Sequence, residues 1–121
     1  MAIPQTSVLL VEDDASTAEL YSLKLRMDGY AVHVASDRTT ADVIVAATAP
    51  DVICVDARLP DSIGTGAAQR FAGAGAIVLL LTNDQYCYEN PPPGVARSLL
   101  KSHTNPSELS AVIRQLVARP R

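Results

Sequence analysis

The stretch VLLVEDDAST, residues 8–17, decides how this chain folds. Four apolar residues run without alternation into Glu12, Asp13 and Asp14, and a helix-like pattern follows. An uninterrupted apolar run suits a strand buried on both faces, as in a parallel sheet. Three adjacent carboxylates repel one another, so their place at the end of such a strand calls for a positive partner.

Working outward, residues 31–35, 52–55 and 76–81 repeat the pattern and read as strands, with 99–101 a weaker fifth. The segments between them have helical period. Residues 15–28 carry Ala18, Tyr21 and Leu25, and also Leu20, Leu23 and Met27, and stop at Gly29, a C′ position. Residues 37–48 have Ser36 or Asp37 as cap and end before Pro50. Residues 66–73 are short and poorly periodic. Residues 105–118 start with Asn105 as N-cap, Pro106 at N1 and Glu108 at N3. Between 83 and 97 there is room for about one helical turn before Pro91, Pro92 and Pro93. This order predicts an α/β fold: a doubly wound five-stranded parallel sheet, strand order 2-1-3-4-5 (flavodoxin-like), with a shortened or irregular helix 4.

The totals agree with one domain over residues 1–121. Hydrophobic residues make up 48%, enough for a core, and with no Trp and one Phe that core is mostly aliphatic. A net charge of -3 argues against direct nucleic-acid binding, which needs clustered Lys and Arg. Cys54 and Cys87 make no disulfide framework, and no apolar run approaches a membrane span. A cytoplasmic location is the default. His33 and His103 have no partners at zinc spacing.

In this strand order ligands sit beyond the C-terminal strand ends, next to strand 1. The residues there are Glu12 and Asp13, then Asp56, then Thr82, then Lys101. Converging carboxylates fit a hard cation such as Mg²⁺, which takes oxygen ligands.

With LLVEDD at strand 1, DVICVDARLPDSIGTG around strand 3, IVLLLTN at strand 4 and SLLKS at strand 5, the chain resembles the receiver domain of two-component response regulators over nearly its whole length. Pro60 and Gly64, four and eight residues after Asp56, belong to the same pattern. The resemblance implies that Asp56 accepts a phosphoryl group. It implies that Glu12, Asp13, Asp56 and the Arg58 backbone carbonyl hold Mg²⁺, that Thr82 is the switch hydroxyl, and that Lys101 pairs with the phosphoryl group. The implied donor is a histidine kinase or phosphotransfer protein. The implied output is a downstream protein or a fused domain, with a homodimer left open. Asp14 matches a variable position and reads as a helix cap.

The chain departs from the family in four places. Asn83 stands where a small residue is usual, which should narrow access to the phosphoryl group. Arg58 and Asp84 follow Asp56 and Thr82 by two residues and could pair as a lid. Ser102 follows Lys101 in place of the usual Pro, so a trans peptide is expected there. Ser98 takes the place of the aromatic switch, so output should use an atypical face. The competing reading is a degenerate receiver, a protein-binding module that phosphate does not switch. A phosphatase is disfavoured, because DARLP lacks a second Asp two residues after Asp56. A flavin-binding protein is disfavoured, because VEDDAS is acidic where a phosphate loop is needed. The expectation is a signalling domain and not an enzyme.

Overall fold

The computed structural model describes residues 5–62 and 66–118, so Gly64 lies outside the described residues. Five strands, β1 (Ser7–Val11), β2 (Ala31–Ala35), β3 (Val52–Asp56), β4 (Ile77–Thr82) and β5 (Val95–Leu100), form one sheet. The order is β2-β1-β3-β4-β5 and every pairing is parallel, as the alternation of strand and helix requires. The helices are α1 (Ala15–Met27), α2 (Arg38–Thr48), α3 (Gly66–Ala72), α4 (Gln85–Glu89) and α5 (Pro106–Val117).

The period-2 geometry of the strands divides the core into two layers. Val8, Leu10, Val52, Cys54, Leu79 and Leu81 pack with Ala18, Tyr21 and Leu25 of α1 and with Leu109, Ile113 and Leu116 of α5. Leu9, Val11, Ile53, Val55, Val78 and Leu80 pack with Ala41 of α2 and with Ala67, Ala68 and Phe71 of α3. The three inner strands are therefore apolar at successive positions, because both of their faces are covered. Each fully buried Leu or Ile contributes roughly 2 kcal/mol by leaving water. Of the apolar residues on α1, only the Ala18–Tyr21–Leu25 row meets the sheet; Leu20, Leu23 and Met27 point to solvent.

The fifth strand is longer than the sequence reading and begins at Val95. Lys101 is not part of it: Lys101–His103 is a 3-10 turn. Arg97 and Ser98 hide the strand signal, since β5 is an edge strand that buries no residue fully. Helix α4 is one turn, ends before the prolines, and buries none of its residues.

Helix starts are fixed by acidic and amide caps. Asp14 accepts from the Ser16 and Thr17 N–H groups, Asp37 from Thr40, Asp84 from Cys87 and Asn105 from Glu108. Helix α2 also has a cap from afar. The Asp61 carboxylate, in the loop after β3, accepts from the Arg38 and Thr39 N–H groups at 2.7 and 3.0 Å and from the Thr39 hydroxyl at 2.7 Å. Those bonds hold the Asp61 carboxyl down at about 2. Gly29, at φ +96, ends α1. Gly94, at φ +89, enters β5 so close to α3 that an added Cβ would lie 2.8 Å from Ala72 Cβ.

These two glycines separate backbone strain from collision. Gly29→Ala meets nothing within 4 Å and is expected to cost about 1 kcal/mol. Gly94→Ala adds the clash and is expected to cost about 3 kcal/mol; urea unfolding of both variants measures the difference. For Asp61 the folded carboxyl titrates below an unfolded aspartate, so its stabilisation is present above about pH 4. It is lost as pH falls towards 2. The Tm advantage of the wild type over Asp61→Asn should thus shrink steadily between pH 5 and pH 2, and a pH-independent difference would contradict the cap.

Candidate functional site

The sheet brings the expected residues to one edge. Glu12 follows β1, Asp56 ends β3, Thr82 ends β4 and Lys101 follows β5. β1 and β3 are neighbours in register, Val11 opposite Val55, so the next residues of both strands face the same space. One oxygen of each of Glu12, Asp13 and Asp56 falls within a 4.8 Å group. Glu12 and Asp56 are buried, and Asp13 is exposed.

Lys101 supplies the positive partner that the opening stretch demanded. Its ammonium donates to Glu12 Oε1 at 2.8 Å and to Asp56 Oδ2 at 2.7 Å. The other Asp56 oxygen, Oδ1, accepts from the Arg58 backbone N–H at 3.0 Å. Glu12 Oε1 also accepts from the Asp14 N–H at 3.2 Å. Burial pushes the Glu12 carboxyl up to about 7, against the pull of Lys101. For Lys101 burial works downward, but its bonds to Asp56 and Glu12 outweigh it and hold the ammonium above its usual value.

One atom is left over. Glu12 Oε2 is buried and has no hydrogen-bond partner among the described residues. A buried carboxylate oxygen without a partner is costly, whereas a cation in contact with it would satisfy it. An all-oxygen donor set of mixed burial beside an open cleft suits Mg²⁺, which keeps part of its water shell. The residues present fit that ion.

The cleft over Asp56 has a volume of about 690 Å³ and is bordered by Asp13, Arg58, Thr82, Asn83, Asp84 and Lys101. The Thr82 hydroxyl accepts from the Asp84 N–H at 3.0 Å, leaving its own proton free to donate.

Some sequence expectations change here and others hold. Arg58 and Asp84 form no ion pair; the Asp84 carboxylate is engaged by the Cys87 N–H as the α4 cap. Asn83 does not simply hang over the cleft, because its Oδ1 accepts the Ser102 N–H at 2.8 Å. The Lys101–Ser102 peptide is trans, as expected, since no described peptide is cis. Ser98 donates its hydroxyl to the Tyr88 carbonyl at 2.6 Å, tying α4 to β5. Asp14 is a cap and not part of the carboxylate group. Sequence reasoning missed Tyr21, whose hydroxyl crosses from α1 to the Thr104 carbonyl at 2.7 Å and holds the turn that carries Lys101. The only signal was a phenol on the core row of a helix, which needs a buried partner for its O–H.

A parallel 2-1-3-4-5 sheet with an acidic group, a Thr and a Lys at its C-terminal edge defines a receiver-type phosphoacceptor module. Residues 8–114 match the response regulator receiver domain, and the chain belongs to that family. It is 36% identical over 78 residues to a Mycobacterium tuberculosis protein described as "Probable transcriptional regulatory protein TcrX". It is 34% identical over 76 residues to the DNA-binding response regulator MtrA of the same organism. The matched stretches take in 63% and 62% of this chain and 33% of each relative. Among solved structures, the non-phosphorylated HemR receiver domain of Leptospira biflexa superimposes with a TM-score of 0.82 at 25% identity, covering 97% of this chain and 98% of that one. The chemotaxis response regulator CheY4 of Vibrio cholerae gives 0.80 at 25% identity, covering 93% and 99%. Receiver domains are signalling modules that bind Mg²⁺ at an acidic pocket and interact with histidine kinases or phosphotransfer proteins. No helix among the described residues is long and apolar enough to cross a membrane.

Lys101→Met keeps the aliphatic stem and removes the charge, leaving Glu12 and Asp56 without their shared cation. Without divalent ions this should lower the unfolding free energy by about 3 kcal/mol, measured by urea titration. An unchanged midpoint would mean that the two carboxylates do not depend on Lys101.

Proposed function

We propose that this chain takes a phosphoryl group from a phosphohistidine of a histidine kinase or phosphotransfer protein onto Asp56. The observation that carries this reading is the Asp56 carboxylate, held on one side by Lys101 and on the other by the Arg58 N–H, at the floor of an open cleft. A bond forms between an Asp56 carboxylate oxygen and phosphorus. The phosphorus–nitrogen bond of the donor breaks, and its electron pair stays with the imidazole. Glu12, Asp13, Asp56 and the Arg58 carbonyl are the residues that would hold Mg²⁺. When bound, that ion offsets charge on the phosphoryl oxygens. Lys101 pairs with the phosphoryl group and the Thr82 hydroxyl donates to it. Both are already at the rim of the cleft.

Transfer changes the local charge by roughly -1.5 to -2, by comparison with other protein phosphates. That change draws Thr82 inward and biases a protein-interaction surface. The output face is an atypical one in this reading. Support comes from Ser98, which has no ring to move and whose hydroxyl is committed to Tyr88, and from a one-turn α4. The output partner is a downstream protein or a fused domain; the greater length of MtrA and its description as DNA-binding favour a fused domain. The receiver itself, at net charge -3, is not the nucleic-acid contact. The site of action is the cytoplasm, as for response regulators generally. The Ser98–Tyr88 bond also favours the second reading, a module that phosphate does not switch.

Incubation with Mg²⁺ and acetyl phosphate, followed by intact-mass measurement, tests the chemistry. A single Mg²⁺-dependent phosphoryl adduct that disappears in Asp56→Asn is the expected result. A wild-type protein that binds Mg²⁺ and takes no adduct would leave the unswitched module as the better account.

A further inference from the structure

The first N–H groups of any helical turn lack partners inside the turn. In the Lys101–His103 turn the N-cap position is Leu100, which has no side-chain acceptor to offer. The missing acceptor comes from another strand. Asn83, the first residue after β4, places Oδ1 2.8 Å from the Ser102 N. A backbone N–H only donates, so the carboxamide oxygen must face it. Thr82 and Leu100 are register partners on adjacent strands, so the bond clasps the two chains just beyond their last paired residues.

The rest of the turn is tethered as well. Thr104 donates its hydroxyl to the Leu100 carbonyl at 2.8 Å, and Tyr21 donates to the Thr104 carbonyl at 2.7 Å. The tether from Asn83 acts one residue from Lys101, whose ammonium must reach two oxygens at once. Asn83 borders both the cleft over Asp56 and a groove of about 340 Å³ along Tyr21, Thr104 and Pro106. Lys101 is the other residue that borders both. Both Asn83 and Ser102 are exposed, so the bond competes with water and adds little to overall stability.

We propose that Asn83 is a positioning residue for phosphoryl transfer: by accepting the Ser102 N–H it fixes the turn that aims Lys101 at Asp56. The proposal rests on the function argued above, and it reverses the simple steric view of Asn83. A side chain that merely narrows the cleft would, when trimmed, let the donor in faster. A side chain that aims the ammonium would, when trimmed, slow the transfer, because small misplacements of a charge-stabilising group are expensive in rate.

The test is a double-mutant cycle on Asn83→Ala and Ser102→Pro, the second removing the N–H that Asn83 accepts. Single-turnover phosphorylation by acetyl phosphate with saturating Mg²⁺ gives one readout. The Lys101 ¹⁵Nζ resonance and Ser102 amide exchange in metal-free protein give a second that needs no phosphorylation. Asn83→Ala should slow the limiting rate constant about tenfold, leave the Mg²⁺ affinity within twofold, shift the Lys101 resonance and unprotect the Ser102 amide. In the Ser102→Pro background Asn83→Ala should change neither the rate nor the Lys101 resonance further. A faster Asn83→Ala protein, an unmoved Lys101 resonance, or equal effects in both backgrounds would overturn the proposal. If the wild type takes up no phosphoryl group, the proposed function fails, and the Lys101 resonance alone decides the clasp.

Discussion

The Lys101 ammonium lies between the Glu12 and Asp56 carboxylates, and the C-terminal edge of the sheet is organised around that contact. Two carboxylates buried side by side would repel each other or take up a proton. A cation between them removes the conflict only if three strand ends meet to within a hydrogen-bond length. That condition constrains more than the three residues. It requires β1, β3 and β5 to end at the same level, and it requires the turn after β5 to hold its shape. It also leaves Glu12 Oε2 buried without a hydrogen-bond partner among the described residues, even with Lys101 in place.

The sheet tolerates this because its core and its site are kept apart. The two apolar layers lie along the strands, while the charged groups sit just past the strand ends. The same edge is where α1 and α4 begin, and their caps consume two of the nearby acids. Asp14 is bound to the first turn of α1 and Asp84 to that of α4. The hydrogen bonds to Thr17 hold the Asp14 carboxyl below its ordinary range. The acidity of the loop sequence therefore overstates the charge that faces the cleft. Glu12, Asp13 and Asp56 remain as the group whose oxygens come together at the cleft, and the neighbours serve the backbone.

Much of this was legible in order. Uninterrupted apolar runs at β1, β3 and β4 suit strands covered on both faces, and their alternation with helical segments implies a parallel sheet with helices in two layers. The acidic, threonine and lysine positions then follow from where each run stops. β5 was poorly legible because an edge strand needs little apolar burial, so Arg97 and Ser98 disguise it. The exposure of Leu20, Leu23 and Met27 was hidden for a related reason. Apolar residues on one helix do not announce which row the sheet will cover.

By itself the sequence determined the fold, the residues at the C-terminal edge of the sheet and most of the helix caps, because each depends on local pattern or on the end of a strand. Only the tertiary structure decided the pairings across the chain. Asp61 caps a helix that begins more than 20 residues earlier, Tyr21 holds Thr104, Asp84 caps its own helix without pairing with Arg58, and Asn83 takes the Ser102 N–H. A hydrogen bond of this kind depends on distances of a few tenths of an ångström between segments remote in sequence. Periodicity and residue type do not encode those distances; the packed sheet sets them.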